Sequence, residues 1–351
     1  MTGAVASPVP GEPFLTIGVF VHNEQESLGR CLRATVTAAS KLQIPWEIVV
    51  VDDGSTDRTA DIALIELAEV PSRVVCQENA GRAASSRQLI DLARGQFVLM
   101  LTAHVELDPD ALLYWYGRAA SGERLVCNGD LRTDINSVYA NFWDVVTVFG
   151  WRRYFLNRGP VSYGLDDYDA YPKGTGMLVA PKAVWEAAYE QSGVEEQSHQ
   201  IVVSDDTRLV RSMAARHRIW LDPQFSGSYR SHRVTLRSFL SNGFYRGTTF
   251  IDSYADSKAG IGCAVRVAPW VAVGAAVAVV VFPKVAPVVA LAAVAGPVVA
   301  TAAIAVACRV PARQVWWAAV TADLFAASFV AGAARGYKYR WFTRRRTHRG
   351  T

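Results

Sequence analysis

The sequence predicts an α/β domain with a mostly parallel sheet, followed by C-terminal membrane helices. The clearest strand signal is the run Glu-Ile-Val-Val-Val at residues 47–51, which stops in Asp52, Asp53 and Gly54. A run that is apolar at nearly every position fits a strand buried on both faces, as in a parallel α/β sheet. Beyond residue 260 the chain becomes rich in long apolar stretches. Two regions of different chemistry are therefore expected.

Strand and helix patterns alternate along the front of the chain. A β-type run at Leu15–Val21 is followed by a helical pattern that places Leu28, Cys31, Leu32 and Val36 on one face. After the strand at 48–51, the predicted elements are a helix from Arg58 to about Glu69, a strand at Arg73–Cys76, a helix to Arg94 and a strand at Phe97–Leu101. Such alternation implies right-handed crossovers, and it brings the carboxyl ends of the strands to one edge.

Polar clusters follow the predicted strands at this edge. Ligands of open α/β sheets bind just beyond the carboxyl ends of such strands, so Asp52 and Asp53 lie where a nucleotide would bind. The alternative is a structural turn, in which a hydroxyl side chain at 55–56 caps the next helix. Similar clusters at 22–24 and 102–106 favour the ligand site.

Three long apolar stretches follow the front domain, at Cys263–Phe282, Val285–Cys308 and Val315–Ala334. Each has the length of about 20 residues that a helix needs to cross a bilayer. The alternative, a buried helical core, is disfavoured because apolar side chains fill whole turns and leave no polar face. We expect the first two stretches to span a membrane. The third contains Asp323 and is expected to span it or to lie at its interface.

Charge is distributed unevenly along the chain. Of the 36 Lys and Arg residues 11 lie beyond residue 260, whereas only one of the 32 acidic residues does. The net charge of +4 therefore combines an acidic front with a basic tail, and it gives no reason to expect nucleic acid binding. The five cysteines show neither metal-binding nor disulfide spacing, and the first residues lack the features of a secretory signal. A cytoplasmic front domain is expected.

Several motifs of the front domain occur in the order of a known family. They are His22-Asn23-Glu24, Val51-Asp52-Asp53-Gly54-Ser55-Thr56-Asp57, Asn79-Ala80-Gly81 with Arg87, Gly174-Thr175-Gly176, and Ser204-Asp205-Asp206. In this order the chain resembles the family 2 glycosyltransferases of the GT-A fold, up to about Arg233. Residues 102–104 and 218–223 resemble most the membrane-attached, succinoglycan-type glucosyltransferases of exopolysaccharide assembly. The resemblance implies a GT-A fold and sugar transfer from a nucleotide donor.

The resemblance implies a nucleotide-sugar site at the strand ends. In such enzymes the second acid of the strand tip accepts a hydrogen bond from the base, so Asp53 would read the base and Asp52 would support it. The other residues implied in this site are Phe20, His22, Glu24, Gly81, Arg87 and Thr102. Glycine lets the backbone approach a ligand, and arginine complements phosphate charge. For Arg87, an exposed helix arginine without such a task is the alternative.

The metal motif departs from the family pattern. Relatives place Asp-X-Asp or Asp-X-His after the fourth strand, and the last residue holds a divalent ion that bridges the diphosphate. In this chain Thr102 replaces the first acid, His104 remains, and Glu106 lies two residues further on, on the same face if the strand continues. The resemblance implies Mg²⁺ or Mn²⁺ at His104 and Glu106, with the diphosphate completing its shell. A structural His104 is the alternative.

The resemblance also implies a general base. Inverting transfer requires an acceptor hydroxyl to lose its proton as it attacks the anomeric carbon. The family takes the base from an acidic pair at the start of a helix, so Asp206 is the implied base and Asp205 its neighbour. An ordinary acidic helix N-terminus is the alternative.

The region after residue 232 has the composition of an amphipathic helix. Phe239, Leu240, Phe244 and Tyr245 are spaced to form an apolar stripe that would lie in the plane of a membrane interface. A helix packed on the protein itself is the alternative. The predicted segments are a disordered leader at 1–13, the GT-A domain at 14–231, interface helices at 232–260, membrane helices at 261–335 and a basic tail at 336–351.

The sequence thus predicts a multi-pass membrane glycosyltransferase whose catalytic domain faces the cytoplasm. It would transfer a sugar, with inversion, from a nucleotide donor such as a UDP-hexose to a lipid-linked acceptor in cell-surface polysaccharide or glycolipid assembly. One alternative is a polyprenyl-phosphate sugar synthase, which transfers directly to lipid phosphate. Another, motivated by Thr102, is a catalytically degenerate membrane partner that binds sugar nucleotides without turnover.

Overall fold

The computed structural model describes residues 11–193, 205–231, 234–254 and 279–347, together with residues 267, 274 and 277. At 205–206, 252–254, 293, 297 and 339–347 only the backbone is described. The described chain divides into two units. The first comprises 11–134, 157–193 and 205–231, and the second comprises 135–156 and the described residues from 234 onward. Residues 135–156 thus belong with the C-terminal segments, although they lie within the predicted front domain.

One sheet runs through the first unit. Within the described residues it has nine strands, in the order β3-β2-β1-β4-β8-β6-β9-β5, and β7 pairs with β9. The strands are β1 (Leu15–Val21), β2 (Trp46–Asp52), β3 (Ser72–Cys76), β4 (Phe97–Leu101), β5 (Val105–Leu107), β6 (Cys127–Asp134), β7 (Val161–Tyr163), β8 (Met177–Pro181) and β9 (Ile219–Arg230).

The first half of the sheet is parallel. β1 lies between β2 and β4 and is parallel to both, and β3 extends the parallel set on the far side of β2. Every residue of β4 is buried, as are six of the seven residues of β1 and of β2. The apolar runs in the sequence reflect this burial, and the parallel strands predicted from them are confirmed.

The second half of the sheet adds antiparallel pairs. β8 is antiparallel to β4 and to β6, and β9 is parallel to β6 but antiparallel to β5 and β7. The β6–β9 register shifts between Gly129 and Asp130. The sheet is therefore mixed, and its parallel half determines where the carboxyl ends of β1, β2 and β4 meet.

Six helices of the described residues belong to the first unit and five to the second. Those of the first unit are α1 (Leu28–Ala39), α2 (Thr59–Glu66), α3 (Arg82–Leu92), α4 (Ala111–Ala119), α7 (Lys182–Ser192) and α8 (Asp205–Ala214). Those of the second unit are α5 (Val138–Gly150), α6 (Arg152–Phe155), α9 (Leu236–Tyr254), α10 (Ala286–Ala307) and α11 (Ala312–Thr347).

The second unit is a helical assembly with an aromatic core. Phe142 on α5 and Phe239 on α9 are buried, and their ring centroids lie 5.5 Å apart. Both rings contact Phe325 on α11, at 4.8 and 6.1 Å. The Ser137 side chain caps α5 by accepting a hydrogen bond from the Ala140 amide at 3.0 Å. The aromatic contacts explain why the segment at 135–156 joins this unit.

Small residues let α9 and α11 approach closely. A Cβ on Gly247 or Gly332 would overlap a backbone carbonyl of the other helix, and a Cβ on Gly336 would lie 2.6 Å from the Thr248 carbonyl oxygen. The Thr248 hydroxyl donates across the crossing to the Gly332 carbonyl oxygen at 3.1 Å. Small residues at four-residue spacing allow such backbone contact between helices. The glycines therefore set the distance between α9 and α11.

The buried face of α9 differs from the predicted apolar stripe. Phe239, Gly243 and Gly247 are buried, whereas Tyr245 is 37% exposed. The sequence stripe counted large apolar residues only, but the contact with α11 uses glycine because the backbones touch. α9 packs on the protein, which was the alternative, and its orientation in a membrane stays a prediction.

Two helices of the described residues are long and apolar enough to cross a membrane. They cover Pro283–Ala307 and Ala312–Lys338, with mean hydropathies of 2.3 and 1.4. These correspond to the second and third predicted stretches, while most of the first lies outside the described residues. Helices of this length and apolarity indicate association with a membrane.

Gly332→Ala should destabilise the second unit. The added methyl group overlaps the Phe244 carbonyl oxygen, so α9 and α11 must separate. Such overpacking costs about 1–3 kcal/mol in unfolding free energy. Gly296→Ala on α10 is the matched control, because a Cβ there meets no atom within 4 Å. Thermal unfolding in detergent measures both, and equal melting temperatures for the two variants would contradict the close crossing.

Candidate active site at the strand ends

The carboxyl ends of β1, β2 and β4 meet at one edge of the sheet. β1 and β2 end in register, with Val21 opposite Asp52. The Asp53 amide donates to the Val21 carbonyl oxygen at 2.8 Å, which extends the pairing beyond the end of β2. The segments that follow these strands, 22–24, 53–57 and 102–104, carry the polar side chains that the sequence analysis selected.

The Asp53 carboxylate anchors the loop that leads into α3. Its Oδ1 accepts hydrogen bonds from Gln77 Nε2 at 2.6 Å and from the Ala80 amide at 2.8 Å, and its Oδ2 accepts one from the Gly81 amide at 2.9 Å. Asp53 is 4% exposed. Burial alone would raise its pKa, but hydrogen bonds from Ala80, Gln77, Ser85 and Gly81 bring the pKa below its ordinary value.

These bonds fill most of the roughly four acceptor positions of a carboxylate. Asp53 therefore serves first as the anchor of the 77–81 loop, and the reading of a nucleobase by the same carboxylate stays a prediction. Gln77 was not among the predicted site residues. A glutamine just past a strand gives no signal by itself, because its role depends on how the loop folds back on β2.

Asp52 shapes the turn after β2. Its Oδ1 accepts a hydrogen bond from the Ser55 amide at 2.9 Å, and the residue is 2% exposed. Gly54 has a φ of +72°, and a Cβ there would lie 2.8 Å from the Asn79 nitrogen. Only glycine fits this position without strain. The predicted support that Asp52 gives to a base stays a prediction.

His22 joins the end of β1 to the end of β2. Its Nδ1 lies 2.9 Å from the Asp53 carbonyl oxygen, and its Nε2 lies 3.1 Å from Asn23 Nδ2. The same Nδ1 also lies 3.2 Å from Asn79 Nδ2, so the imidazole contacts the loop before α3 as well. Phe20, one residue from the end of β1, is half-buried. Its place beside a nucleobase stays a prediction.

Gly81 and Arg87 differ in what they face. Gly81 precedes α3 with a φ of +88°, and a Cβ there would meet no atom within 4 Å, so space is open beside its backbone. Arg87 Nε donates to Asp91 at 3.0 Å, and its guanidinium lies 5.6 Å from the ring centroid of Tyr189. Arg87 thus contacts protein partners, as in the structural alternative. Its contact with a nucleotide stays a prediction.

His104 pairs with Glu24 in place of Glu106. His104 is 9% exposed, and its Nε2 lies 3.1 Å from Glu24 Oε1. Ser27 Oγ donates to the other carboxylate oxygen of Glu24 at 2.6 Å. Glu106 instead accepts from Arg30 Nε at 3.2 Å. Arg30 of α1 thus engages the Glu106 carboxylate, and the sharing of a metal by His104 and Glu106 stays a prediction.

No group of three His, Cys, Asp or Glu side chains that could hold a metal ion occurs in the described part of the chain. His104 and Glu24 offer one imidazole and one carboxylate. Mg²⁺ and Mn²⁺ sites with few protein ligands depend on substrate phosphates for the rest of their shell. The two side chains therefore suit a divalent ion only together with a bound diphosphate.

Thr102 connects the end of β4 to the glycine turn at 174–176. Its amide donates to the Gly176 carbonyl oxygen at 3.1 Å. Its Oγ1 is buried and has no hydrogen-bond partner among the described residues. A neutral hydroxyl thus stands at the end of β4, and it brings no charge to a metal. The contact of Thr102 with a nucleotide sugar stays a prediction.

The predicted base lies at the start of α8. The backbone of Asp205 and Asp206 forms the first turn of this helix, but both side chains lie outside the described part of the structure. Asn128, which the sequence analysis did not select, holds the 174–176 turn: its Nδ2 donates to the Gly174 carbonyl oxygen at 3.2 Å. A single buried asparagine in a strand gives no pattern from which this role could be predicted.

The fold and this strand-end arrangement define an α/β domain of the GT-A class. The profile of the Glycosyl transferase family 2 matches residues 16–176, which run from β1 to the glycine turn before β8. Residues 16–176 of the first unit therefore match the family 2 glycosyltransferases, and the predicted resemblance to this family is confirmed. The match ends before α8.

Curated relatives of the chain include two undecaprenyl-phosphate 4-deoxy-4-formamido-L-arabinose transferases. The protein from Edwardsiella ictaluri is 34% identical over 125 residues, which are 34% of this chain and 38% of that protein. The protein from Pseudomonas fluorescens is 35% identical over 115 residues, which are 32% and 34% of the two chains. The chain thus matches little more than a third of the length of these relatives.

A solved structure supports the fold over most of the chain. It is a mannosyltransferase from Pyrobaculum calidifontis in complex with GDP-Man and Mn²⁺, with a TM-score of 0.53 and 16% identity. The similarity covers 93% of this chain and 88% of that one. At this identity the likeness concerns the fold alone, and it confirms the predicted GT-A class.

Asp53→Asn should destabilise the first unit. An amide nitrogen cannot accept the hydrogen bonds that one carboxylate oxygen accepts, so the unfolding free energy should fall by about 2 kcal/mol. Asp110→Asn is the matched control, because Asp110 is 80% exposed in its pair with Lys41. The control should change stability by no more than about 0.5 kcal/mol. Denaturant unfolding measures both, and equal effects would contradict the anchor role of Asp53.

The effect of Asp53→Asn should also depend on pH. The folded pKa of Asp53 lies below its unfolded value of about 3.9, so its stabilisation is fully present above about pH 4. This stabilisation is lost as the pH falls through the folded pKa. The stability difference between the wild type and Asp53→Asn should therefore shrink in acid, and a constant difference down to about pH 2 would contradict the lowered pKa.

Proposed function

We propose that the chain is an inverting glycosyltransferase that moves a sugar from a nucleotide-sugar donor to a lipid-linked acceptor at a membrane. The observation that carries this proposal is the joining of three strand-end segments, through the bonds of Asp53 to Val21, His22 to Asp53 and His104 to Glu24. The family 2 domain and the two apolar helices support it. A UDP-hexose is the proposed donor.

The proposed donor site divides between the strand ends. Asp52 and Asp53 hold the turn and the 77–81 loop against which the base and ribose would bind. Phe20 and His22 line the base side, while Gly81 gives the phosphates access to the backbone because space is open beside it. Ligands of open α/β sheets bind at this edge, which favours the assignment.

A divalent ion is proposed at His104 and Glu24, with Mg²⁺ or Mn²⁺ as the ion. When bound there with the diphosphate, it would supply Lewis-acid stabilisation of the leaving group. The chain's own contribution is to hold an imidazole and a carboxylate 3.1 Å apart, with His104 buried. The neutral Thr102 adds no negative charge, so the diphosphate is expected to contribute much of the shell.

Asp206 is the proposed general base and Asp205 its neighbour. In the transfer, the acceptor oxygen forms a bond to the anomeric carbon while the bond to the nucleoside diphosphate breaks, and the hydroxyl proton passes to Asp206. The nucleoside diphosphate carries away the bonding electrons. Attack opposite to the leaving group inverts the anomeric configuration.

The nature of the acceptor separates two forms of this proposal. The names of the curated relatives describe transferases that act with undecaprenyl phosphate, which favours a polyprenyl phosphate as a second candidate acceptor. A phosphate oxygen already carries charge, so direct transfer to it needs no strong base. A sugar-nucleotide binder without turnover is the non-catalytic alternative, motivated by Thr102.

The location of the active domain in the cytoplasm is also proposed. The four cysteines among the described residues are free thiols, which suits a reducing compartment. The basic residues at 335–349 would lie on the same cytoplasmic side if α10 and α11 form the only two spans, in line with the positive-inside tendency.

A donor screen tests the proposed activity. The purified full-length protein in detergent, with lipid extract or undecaprenyl phosphate as acceptor, should release nucleoside diphosphate from one sugar nucleotide. EDTA should abolish the release, and Mn²⁺ or Mg²⁺ should restore it. Tight nucleotide binding without release from any donor would support the non-catalytic binder. If EDTA does not affect the release of nucleoside diphosphate, the proposed metal dependence is wrong.

Asp206→Asn tests the base and the acceptor together. With a hydroxyl acceptor, loss of a general base should lower kcat by about 10²- to 10⁴-fold, while the Kd for nucleotide stays within about twofold. Glu190→Gln, which changes an exposed carboxylate on α7, is the matched control and should leave kcat unchanged. Unaltered turnover of Asp206→Asn on lipid extract would remove Asp206 as the base, and full activity on undecaprenyl phosphate would identify a lipid-phosphate acceptor.

A further inference from the structure

A short segment of the chain is hydrogen-bonded at one end to the first turn of α8 and at the other end to the residue that follows β4. It runs from the 3₁₀ turn at Tyr168–Ala170 to Gly176, and we refer to residues 168–176 as the strap. At one end the Tyr168 hydroxyl donates to the Thr207 carbonyl oxygen of α8 at 2.9 Å. At the other end the Gly176 carbonyl oxygen accepts from the Thr102 amide at 3.1 Å. The strap therefore touches both sides of the proposed reaction site.

Lys173 is the buried cation of the strap. Its Nζ donates to the Tyr168 carbonyl oxygen at 2.7 Å and to the Tyr171 carbonyl oxygen at 3.3 Å, and it lies 3.7 Å from Asp169 Oδ1. The side chain is only 7% exposed. Burying an ammonium group is costly unless several polar groups surround it. The Tyr168 and Tyr171 carbonyl oxygens and the Asp169 carboxylate belong to the strap, so Lys173 holds the strap in its folded form.

The Tyr168 ring contacts both Lys173 and α8. Lys173 Nζ lies 4.2 Å from the ring centroid, and the Arg211 guanidinium of α8 lies 5.2 Å from it. Cations at such distances are attracted by the ring electrons. Tyr168 is therefore joined to α8 at two points, through its hydroxyl at Thr207 and through its ring at Arg211.

The other half of the strap is fixed by β6 and β7. The Tyr171 ring stacks on Tyr163 with centroids 5.7 Å apart and an interplanar angle of 13°. The Tyr163 hydroxyl donates to Asn128 Oδ1 at 3.1 Å, and Asn128 in turn bonds the Gly174 backbone. A chain of contacts thus links the residues around Lys173 to the glycine turn as well as to α8.

We propose that Lys173 is a positioning residue, which acts through Tyr168 to fix the first turn of α8 relative to the end of β4. This inference rests on the proposed function, because Asp205 and Asp206 begin that turn. Lys173 does not contact the reacting atoms in this account. It determines the position of the proposed base, Asp206. Small displacements of a catalytic group lower the reaction rate steeply.

The charge of Lys173 gives this role a pH dependence. Burial lowers the pKa of Lys173 to about 8, Asp169 of the 3₁₀ turn acts in the opposite direction, and Arg211 of α8 lowers it further. Tyr163 of β7 stays neutral, because burial raises its pKa well above the ordinary value. Above about pH 8, Lys173 loses its charge and its attraction to the Tyr168 ring weakens.

Stability and activity should then change in opposite directions. The folded pKa of Lys173 lies below its unfolded value of about 10.4, so folding disfavours the protonated form and this cost is fully present below about pH 8. The cost is relieved as the pH rises from about 8 to about 10.4, and stability rises. Activity falls over the same range because the strap loses its cation. If Lys173 had only a structural role, activity would not fall over the pH range in which stability rises.

Three lysine variants test the proposal in the full-length protein. Lys173→Met should lower kcat by roughly 10- to 100-fold while the KM for the donor changes by less than about twofold. Lys173→Arg keeps the charge and should retain most of the activity, with the alkaline loss moved above about pH 10. Lys182→Met is the matched control, because Lys182 also donates to a carbonyl oxygen, that of Ala93 at 2.8 Å, away from the strap. It should leave kcat and the pH profile unchanged.

Hydrogen exchange tests the strap without any need for turnover. Tyr168→Phe removes the hydroxyl bond to Thr207 and keeps the ring, so amides in the first turns of α8 should exchange faster. Tyr114→Phe removes phenolic bonds away from the strap, one donated to Asp222 at 2.8 Å and one accepted from Arg124 at 2.7 Å, and should leave α8 unchanged. If the wild type transfers no sugar, the proposed function fails, and exchange alone then decides whether the strap holds α8.

Two results would overturn the proposal. The first is a kinetic result: either folded Lys173→Met has the kcat of the wild type, or Lys173→Arg loses activity at the same alkaline pH as the wild type. The other is unchanged exchange of α8 in Tyr168→Phe. If Lys173→Met does not fold, Lys173→Arg and Tyr168→Phe carry the test, since both keep the ring and the packing of the strap.

Discussion

The hydrogen bonds of the Asp53 carboxylate are the constraint on which the candidate site depends. β2 ends at Asp52, and the next residue turns its carboxylate toward the 77–81 loop, where it binds Gln77, Ala80 and Gly81. The loop determines where α3 begins, and its glycine leaves open space beside the backbone. A buried charge that is satisfied by fixed N–H groups favours one arrangement over its alternatives, because each unmade bond leaves a costly unpaired group. The bonds of Asp53 therefore fix the 77–81 loop against the end of β2.

The second unit relies on a different kind of contact. α9 and α11 meet through glycines, with backbone against backbone, and aromatic side chains of α5, α9 and α11 fill the adjacent space. Packing of this type does not require a hydrophobic driving force between helices, so it works in a membrane as well as in water. Residues that match the family 2 glycosyltransferases and apolar helices with such packing occur in one chain, which agrees with the lipid-linked acceptor that we propose.

The sequence was sufficient for the parts of the structure that depend on local pattern. The strands β1, β2 and β4 were predictable because nearly every residue in them is apolar, and their polar ends identified the edge of the sheet. Contacts across long stretches of sequence were not predictable. The pairing of His104 with Glu24, and of Glu106 with Arg30, depends on how α1 packs beside β5. The place of residues 135–156 in the second unit and the glycine face of α9 likewise depend on partners that lie far along the chain.

The central claim is that a sugar nucleotide binds at the edge where β1, β2 and β4 end. The most direct measurement is an experimental structure of the full-length protein with a bound nucleoside diphosphate and Mn²⁺. We expect the nucleobase to lie against Asp53 and the 77–81 loop, and the diphosphate with its metal to lie beside His104 and Glu24. If the nucleotide binds elsewhere on the chain and this edge stays empty at a saturating ligand concentration, the central claim is wrong.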